Sequence, residues 1–385
     1  MPRNPEHIVW KADPHTIAKV EILKNYLTAW FSIFGMTRRA QAIVYIDGFA
    51  GPGEYTNYSA GSPIAAVDAA NRAIVKLEYK WIAGDVYCFF IDDDERRTRH
   101  LEEKLKGSLH SRRIHTKTIT SSFSEGVDAA RSALPEAFEQ NTPLFAFIDP
   151  FGISVPFSKI ASILRSPCSE VLINLDADGA DRVLRAGQAA RADENLTMLF
   201  GSTEWRDQLA CTGPLEQRCR SILHLYKRQL LALPNVDYVF SFEMRSIDNS
   251  LNYYLVFASQ YYLGLEKMKE SMRRIGQEGG YCFSDANIGQ LTMFGRDEEH
   301  EIKQFSELMF QEFSGSTQGF ETLRRFALNE TPFLNPAAML AALEDRQAIR
   351  VRTTAGAKRR GKTFSPEVIE SVSFTKELPH NLFES

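Results

Sequence analysis

Short, wholly apolar runs recur through the first half of this chain, each followed by a longer stretch whose apolar positions return at helical spacing. Residues 42–47, 86–91, 144–148 and 170–175 read as buried strands, since a strand covered on both faces shows no polar alternation, and 114–120, IHTKTIT, as a weaker third strand. Between them lie helical patterns: Gly61-Ser62-Pro63 opens one over 64–76, Asp93 and Asp94 precede a charged one, and Ser121–Glu125 resembles a cap. Serine followed by proline is a strong start signal, and acidic residues suit a helix amino end. Ahead of these, Ile17, Val20, Ile22, Leu23, Tyr26, Leu27, Trp30 and Phe31 form a near-helical stripe that Gly35 ends, with Lys19 and Lys24 as solvated flanks. Strands alternating with helices predict an α/β, doubly wound, mostly parallel Rossmann-like sheet, its ligand off the carboxyl ends of the strands.

The second half changes rhythm. Residues 178–232 are helical and polar, an insertion or cap. Residues 236–242 and 251–258 read as a terminal strand pair turned by Asp248-Asn249-Ser250, and 264–272 as a helix with Met268 and Met272 in the core. After a helical segment at 299–314 and the stretch SGSTQG come a helix at 320–329, a turn, a helix from Asn335-Pro336 to Asp345, a strand at 348–352 and the loop TTAGAKRRGKTF. That order is the order of a winged helix-turn-helix. The expected divisions are 1–177 and 233–298 for the sheet domain, 178–232 for the insertion and 299–385 for the winged-helix-like part.

Composition narrows the classes. At 385 residues the chain exceeds one ordinary core. A net charge of −4 argues against a nucleic-acid binder driven by overall charge. A local basic patch remains: Arg350, Arg352, Lys358, Arg359, Arg360 and Lys362 fall in one short span with no acid between them. On a wing, Lys358, Arg359, Arg360 and Lys362 match phosphate contact, to DNA or RNA. The five scattered cysteines form no CxxC pair, which points to a reducing cytoplasm and no metal site. No apolar run reaches the roughly 18 residues of a membrane span.

The chemistry gathers at strand ends. The first strand runs into Asp47-Gly48-Phe49-Ala50-Gly51-Pro52-Gly53, the second into Asp92 and the fourth into Asp149-Pro150-Phe151-Gly152. The helix at Ser62 is delayed, unlike the helix of a dinucleotide-binding GxGxxG turn. Together these features suggest a class I S-adenosylmethionine-dependent methyltransferase. In that reading Asp47, Gly48, Phe49, Gly51 and Gly53 line the cofactor, Asp92 holds its ribose, and Ser122 at the third strand's end is counted with them. Asp149, Pro150 and Phe151 would hold the nucleophile that takes the methyl group. A nuclease using Asp47, Asp92 and Asp149 as a carboxylate metal cluster would leave the glycine loop unexplained.

Along nearly its whole length the chain also resembles the three-Cys-motif partner protein family, through KVEILKNYLTAW, YIDGFAGPGEY, GSP, FIDPFG, EVLINL, GLEKMKESM and TPFLNPAAMLAALED. That resemblance implies a separate radical-SAM-like partner that carries the three cysteines. A more distant likeness joins Asp47–Tyr55 and Asp149–Gly152 to the ribosomal RNA adenine-N6 methyltransferases. It implies that Asp149 and Pro150 accept the target amine's hydrogens while Phe151 stacks on a base. One proline followed by Phe-Gly departs from that family's two prolines and an aromatic. The departure keeps a second reading open: a catalytically degenerate fold that serves as a partner-binding or nucleic-acid-binding subunit.

Overall fold

The computed structural model describes residues 8–38, 40–139, 142–186, 190–246, 251–275, 282–284 and 298–378. The chain divides into two compact units, residues 1–275 with 282–288, and residues 276–281 with 289–385.

The first unit alternates strands and helices in chain order. Helix α1 (Pro14–Gly35) precedes β1 (Ala42–Asp47), α2 (Ser62–Leu77), β2 (Asp85–Asp92), α3 (Glu95–Lys106), β3 (Ile114–Thr120), α4 (Phe123–Ala133) and α5 (Glu136–Glu139). Then come β4 (Leu144–Ile148), α6 (Phe157–Leu164), β5 (Ser169–Leu175), α7 (Ala177–Arg185), α8 (Ala190–Phe200), α9 (Leu215–Leu231), β6 (Tyr238–Arg245), β7 (Leu251–Ser259), α10 (Tyr262–Ile275) and β8 (Cys282–Ser284). The strands form one sheet in the order β3-β2-β1-β4-β5-β7-β6-β8, with β7 antiparallel to both neighbours and the other pairings parallel. This is the Rossmann-like methyltransferase arrangement. The strand order reverses between β1 and β4, so the crevice for a ligand opens at the carboxyl ends of those two strands.

Burial explains the unalternating strands. Every residue of β4 is buried, as are the last five of β1. Val44, Ile46, Phe89, Ile91, Ala146 and Ile148 share one core cluster with α4, α6, α7, α8 and α9. Residues of the expected insertion, among them Leu196, Phe200, Trp205, Cys219 and Tyr226, belong to that same cluster. The turn expected at Asp248-Asn249-Ser250 lies outside the described residues.

The other face is closed by α1, whose Tyr26 and Trp30 rings meet Phe145, Tyr26 also meeting Phe257. Both side chains also reach Glu170 at the start of β5. Tyr26 Oη donates at 2.7 Å, Trp30 Nε1 at 2.6 Å and Ser259 Oγ at 2.6 Å. Burial pushes the Glu170 carboxyl above its ordinary range against the pull of these three donors. Gly264 of α10 comes so close that a β-carbon there would lie 1.9 Å from Glu170 Oε1.

The second unit contains α11 (Glu298–Phe313), β9 (Thr317–Gly319), α12 (Phe320–Glu330), α13 (Ala337–Asp345), β10 (Ile349–Thr353) and β11 (Ile369–Phe374). Its antiparallel sheet has the order β10-β11-β9, and its core gathers Phe305, Met309, Leu323, Met339, Leu343 and Val372. Strand β9 arises from SGSTQG, a polar run with no strand signal, and is held by pairing with β11. Asn335 Oδ1 caps α13 by accepting from the Ala337 amide at 3.1 Å. Among the described residues no helix is long and apolar enough to cross a membrane.

Removing one donor from the buried Glu170 leaves its carboxyl underserved, a loss of about 1–3 kcal/mol. Trp30→Phe and Ser259→Ala should each lower stability by that amount in urea unfolding; unchanged midpoints would show that the carboxyl needs neither partner.

Candidate functional site

The crevice is built from strand ends and the turns that leave them. Asp47 ends β1, wholly buried, with its Cα in register with Phe147 of β4. Its oxygens accept from neutral donors: the Phe49 amide at 3.3 Å, Tyr45 Oη at 3.2 Å and the Ser62 hydroxyl. Burial, reinforced by the nearby Asp149 charge, outweighs those bonds and pushes its carboxyl up to about 7.

The glycine loop is stitched to both flanking strands. The Gly48 amide donates to Phe147 O at 2.8 Å and the Ala50 amide to Ile91 O at 2.8 Å. Gly51 and Gly53 take φ of +62° and +80°, a region closed to most side chains. The Gly61 amide closes the loop onto Gly53 O at 2.7 Å and starts α2 there, which is why that helix is delayed. Phe49 is partly buried and stacks on Phe123, with ring centroids 5.6 Å apart.

Asp92 ends β2 at 6% exposure and its carboxylate already has protein partners. Oδ2 accepts from the Gly51 amide at 3.0 Å, and Oδ1 from the Asp94 amide at 2.9 Å and from Arg97 at 3.4 Å. Asp92 therefore shapes the glycine loop, and a ribose would share a carboxylate that the loop uses. Asp94 caps α3 through the Arg96 amide, and the Arg96 guanidinium beside it holds its carboxyl down at about 2. Ser122, exposed, caps α4 by accepting from the Glu125 amide, and its hydroxyl donates to the Glu125 carboxylate. It stands beside Asp92, whose carbonyl takes the Ser121 amide at 3.1 Å.

Asp149 follows β4 with both oxygens engaged. Asn174 Nδ2 of β5 donates to Oδ1 at 2.7 Å, and Lys19 Nζ of α1 lies 2.5 Å from Oδ2. Pro150 is buried while Phe151 is 65% exposed. Lys19 departs from the expectation of a solvated flank: its side chain is 7% exposed, its charge is matched by Asp149, and its ammonium faces the Tyr253 ring at 5.2 Å. Neither Lys19 nor Asn174 carried a usable signal in the sequence, because each is paired across elements distant in the chain. Trp10 was missed as well; it packs near Gly51 and is stacked by Arg97, while Asn57 exchanges two hydrogen bonds with Ala12.

The structure thus brings Asp47, Gly48, Phe49, Gly51, Gly53, Asp92 and Asp149 to one edge of one sheet. Among the described residues no group of three or more His, Cys, Asp or Glu could hold a metal.

The basic residues lie in the second unit, and half of that cluster is internally paired. Arg359 grips Glu344 with two bonds of 2.6 and 2.7 Å and stacks on Phe364, Lys362 pairs with Asp345, and Arg352 with Glu370. Arg350, Lys358 and Arg360 are exposed and form no ion pair among the described residues.

The class defined by sheet order and crevice is the Rossmann-like methyltransferase fold. No protein-family model matches the chain, and no curated protein matches it in sequence. Among solved structures it is similar to a DUF574 family protein from Streptomyces avermitilis, at 9% identity over 62% of this chain and 83% of that one, with a TM-score of 0.33. Cofactor-bound Rv0187 from MTB gives 10% identity over 65% and 91%, with a TM-score of 0.32. An O-methyltransferase from Bacillus cereus in complex with SAH gives 12% over 60% and 80%, with a TM-score of 0.28. The fold assignment rests on this chain's own strand order.

A carboxyl raised by folding favours the folded state below the unfolded carboxylate range near 4. For Asp47 that contribution is lost as pH rises through about 7. Asp47→Asn should therefore flatten the fall in thermal midpoint between pH 5 and pH 8; parallel curves for variant and parent would remove Asp47 as its source.

Proposed function

We propose that the first unit is an S-adenosylmethionine-dependent methyltransferase acting on nucleic acid or a nucleic-acid-associated acceptor. The observation that carries this reading is Asp47, buried at the switch point with neutral donors, beside a loop of two left-handed glycines. A buried carboxyl with that surrounding is completed by a cation, and the cofactor's α-ammonium is one. Gly51 and Gly53 keep β-carbons away from the main chain on which the amino-acid portion would lie. Asp92 would receive the ribose from across the loop. When bound, S-adenosylmethionine supplies an electrophilic methyl group on a sulfonium.

The chain's residues then have positioning and electrostatic tasks. Asp149, held by Asn174 and Lys19, and the Pro150 carbonyl accept hydrogen bonds from the nucleophile. Phe151 offers an exposed ring for stacking on a base. The second unit, read as a winged helix-turn-helix, contributes Arg350, Lys358 and Arg360 to phosphates. In this reading Arg359 and Lys362 have a different task from the one expected of them: they brace the loop on α13. The sequence resemblance supports a three-Cys-motif, radical-SAM-like partner. A degenerate, non-catalytic subunit is the second reading, favoured by the altered Asp-Pro-Phe-Gly turn.

Calorimetry with S-adenosylhomocysteine decides the cofactor. Affinity should rise with pH to a plateau above about 7, with proton release below it, because the ammonium requires Asp47 ionised. Asp149→Ala should abolish transfer of labelled methyl to total RNA, DNA or protein while leaving cofactor affinity within a few-fold. Binding by the parent without transfer to any pool would favour the degenerate subunit, and equal loss of binding and transfer would remove Asp149 from its acceptor role.

For the second unit, neutralising Arg350, Lys358 and Arg360 should weaken nucleic-acid binding and shallow its salt dependence by about one unit of slope per lost contact. Arg359→Ala should chiefly lower thermal stability. An unchanged salt slope in the triple variant would remove the loop as a phosphate contact.

A further inference from the structure

The segment ahead of α1 crosses the glycine loop and is clasped there. The Thr56 amide donates to Trp10 O at 2.9 Å, and Asn57 exchanges two bonds with Ala12, accepting from its amide at 2.7 Å and donating to its carbonyl at 3.0 Å. The stretch that holds the segment is itself tied down. Glu54 lies 2.9 Å from His100 Nε2 and 2.5 Å from Lys104 Nζ, both on α3, and the Tyr55 amide donates to Tyr58 O at 2.8 Å. A stretch ahead of the first element keeps one place only where such ties hold it.

The clasp sets Trp10 against the crevice. A β-carbon on Gly51 would lie 3.8 Å from its Cη2, its ring meets Tyr55 edge to face with centroids 5.7 Å apart, and the Arg97 guanidinium lies 5.6 Å from its ring centre. Arg97 reaches on to Asp92 at 3.4 Å and to Asp94 at 3.8 Å, both long pairings. Its Nε is buried and has no hydrogen-bond partner among the described residues. A buried guanidinium hydrogen without an acceptor is costly, which points to an acceptor that a ligand brings. Trp30, Trp81 and Trp205 are at most 6% exposed, whereas Trp10 is half-buried.

We propose that residues 8–13 form a wall of the cofactor crevice, with Trp10 as the surface on which the nucleoside lies and Arg97 as a donor to it. This rests on the reading that Asp92 takes the ribose, and it adds a group for the base. An indole suits a purine because stacking needs area and a π-face, and the guanidinium stacked on it supplies a hydrogen for a sugar hydroxyl or a ring nitrogen. The wall therefore selects the nucleoside. The amino-acid portion is left to Asp47 and the glycine turn.

The test uses the full chain, with S-adenosylhomocysteine and its nucleoside half, 5′-methylthioadenosine, as probes, followed by calorimetry and by tryptophan emission. In the parent both probes should quench emission and protect it from acrylamide. Trp10→Phe should keep affinity within a few-fold and abolish that quenching, while Trp10→Ala should lower affinity for both probes about tenfold, the loss of one base–aromatic stack. Asn57→Ala opens the clasp and should weaken both probes while raising acrylamide quenching of the ligand-free chain. Arg97→Lys keeps the charge but removes the Nε donor, and should lower affinity about fivefold. A wall that only holds the loop would lower affinity in Trp10→Ala with no emission response in the parent, and that result overturns the proposal. Quenching that persists in Trp10→Phe, or Trp10→Ala binding both probes as the parent does, overturns it as well, and an unaffected Arg97→Lys overturns the donor. A parent that binds neither probe by calorimetry removes the cofactor reading and this assignment with it, whereas binding with a silent Trp10 removes this assignment alone.

Discussion

The low dielectric at the ends of β1 and β4 is the constraint that the first unit is arranged around. Asp47 is fully buried and meets hydroxyls and an amide, while Asp149 stands near enough to raise its proton affinity further. Isolated, such a pair would be a liability, because each charge disfavours the other and neither is well hydrated. The surrounding structure supplies hydrogen bonds from Tyr45, Phe49 and Ser62 to one acid, and an amide and an ammonium to the other. The glycine loop and the start of α2 are placed by the same region, since the Gly61 amide closes onto Gly53.

Helix α1 connects this edge of the sheet to the opposite one. Lys19, Tyr26 and Trp30 are spaced by seven and four residues, so they share one face of the helix. Near its start the face presents an ammonium to Asp149, and two to three turns later it presents two donors to Glu170 at the beginning of β5. A helix read from its apolar stripe as simple cover is therefore anchored at both strand ends by polar contacts. Burial gives each contact its weight, for the same pairs in water would contribute little.

Much of the sheet was legible because buried parallel strands leave continuous apolar runs, and because Asp47, Asp92 and Asp149 end three of them. The loop was legible through its glycines and the delay before Ser62. What sequence could not give was the pairing of polar groups across distant elements. Lys19 looks like any flanking lysine until α1 is laid beside β4, and Asn174 looks like a polar residue at the end of an apolar run. Asp92 was legible as an acid at a strand end, yet its bond to the Gly51 amide depends on how the loop folds back. In the second unit the helices were visible by spacing and caps, while β9 exists by virtue of its pairing with β11. The basic run gave the cations but not their partners, since Glu344 and Asp345 precede it on α13 and meet it only when the loop returns.

The most direct measurement is a crystal structure of the full chain grown with S-adenosylhomocysteine. The account predicts the amino-acid portion of the ligand between the Gly51–Gly53 turn and Asp149, with its ammonium in hydrogen-bond contact with Asp47 and its ribose beside Asp92. A ligand bound elsewhere, or Asp47 still surrounded only by Tyr45, Phe49 and Ser62 in crystals saturated with it, would contradict the account.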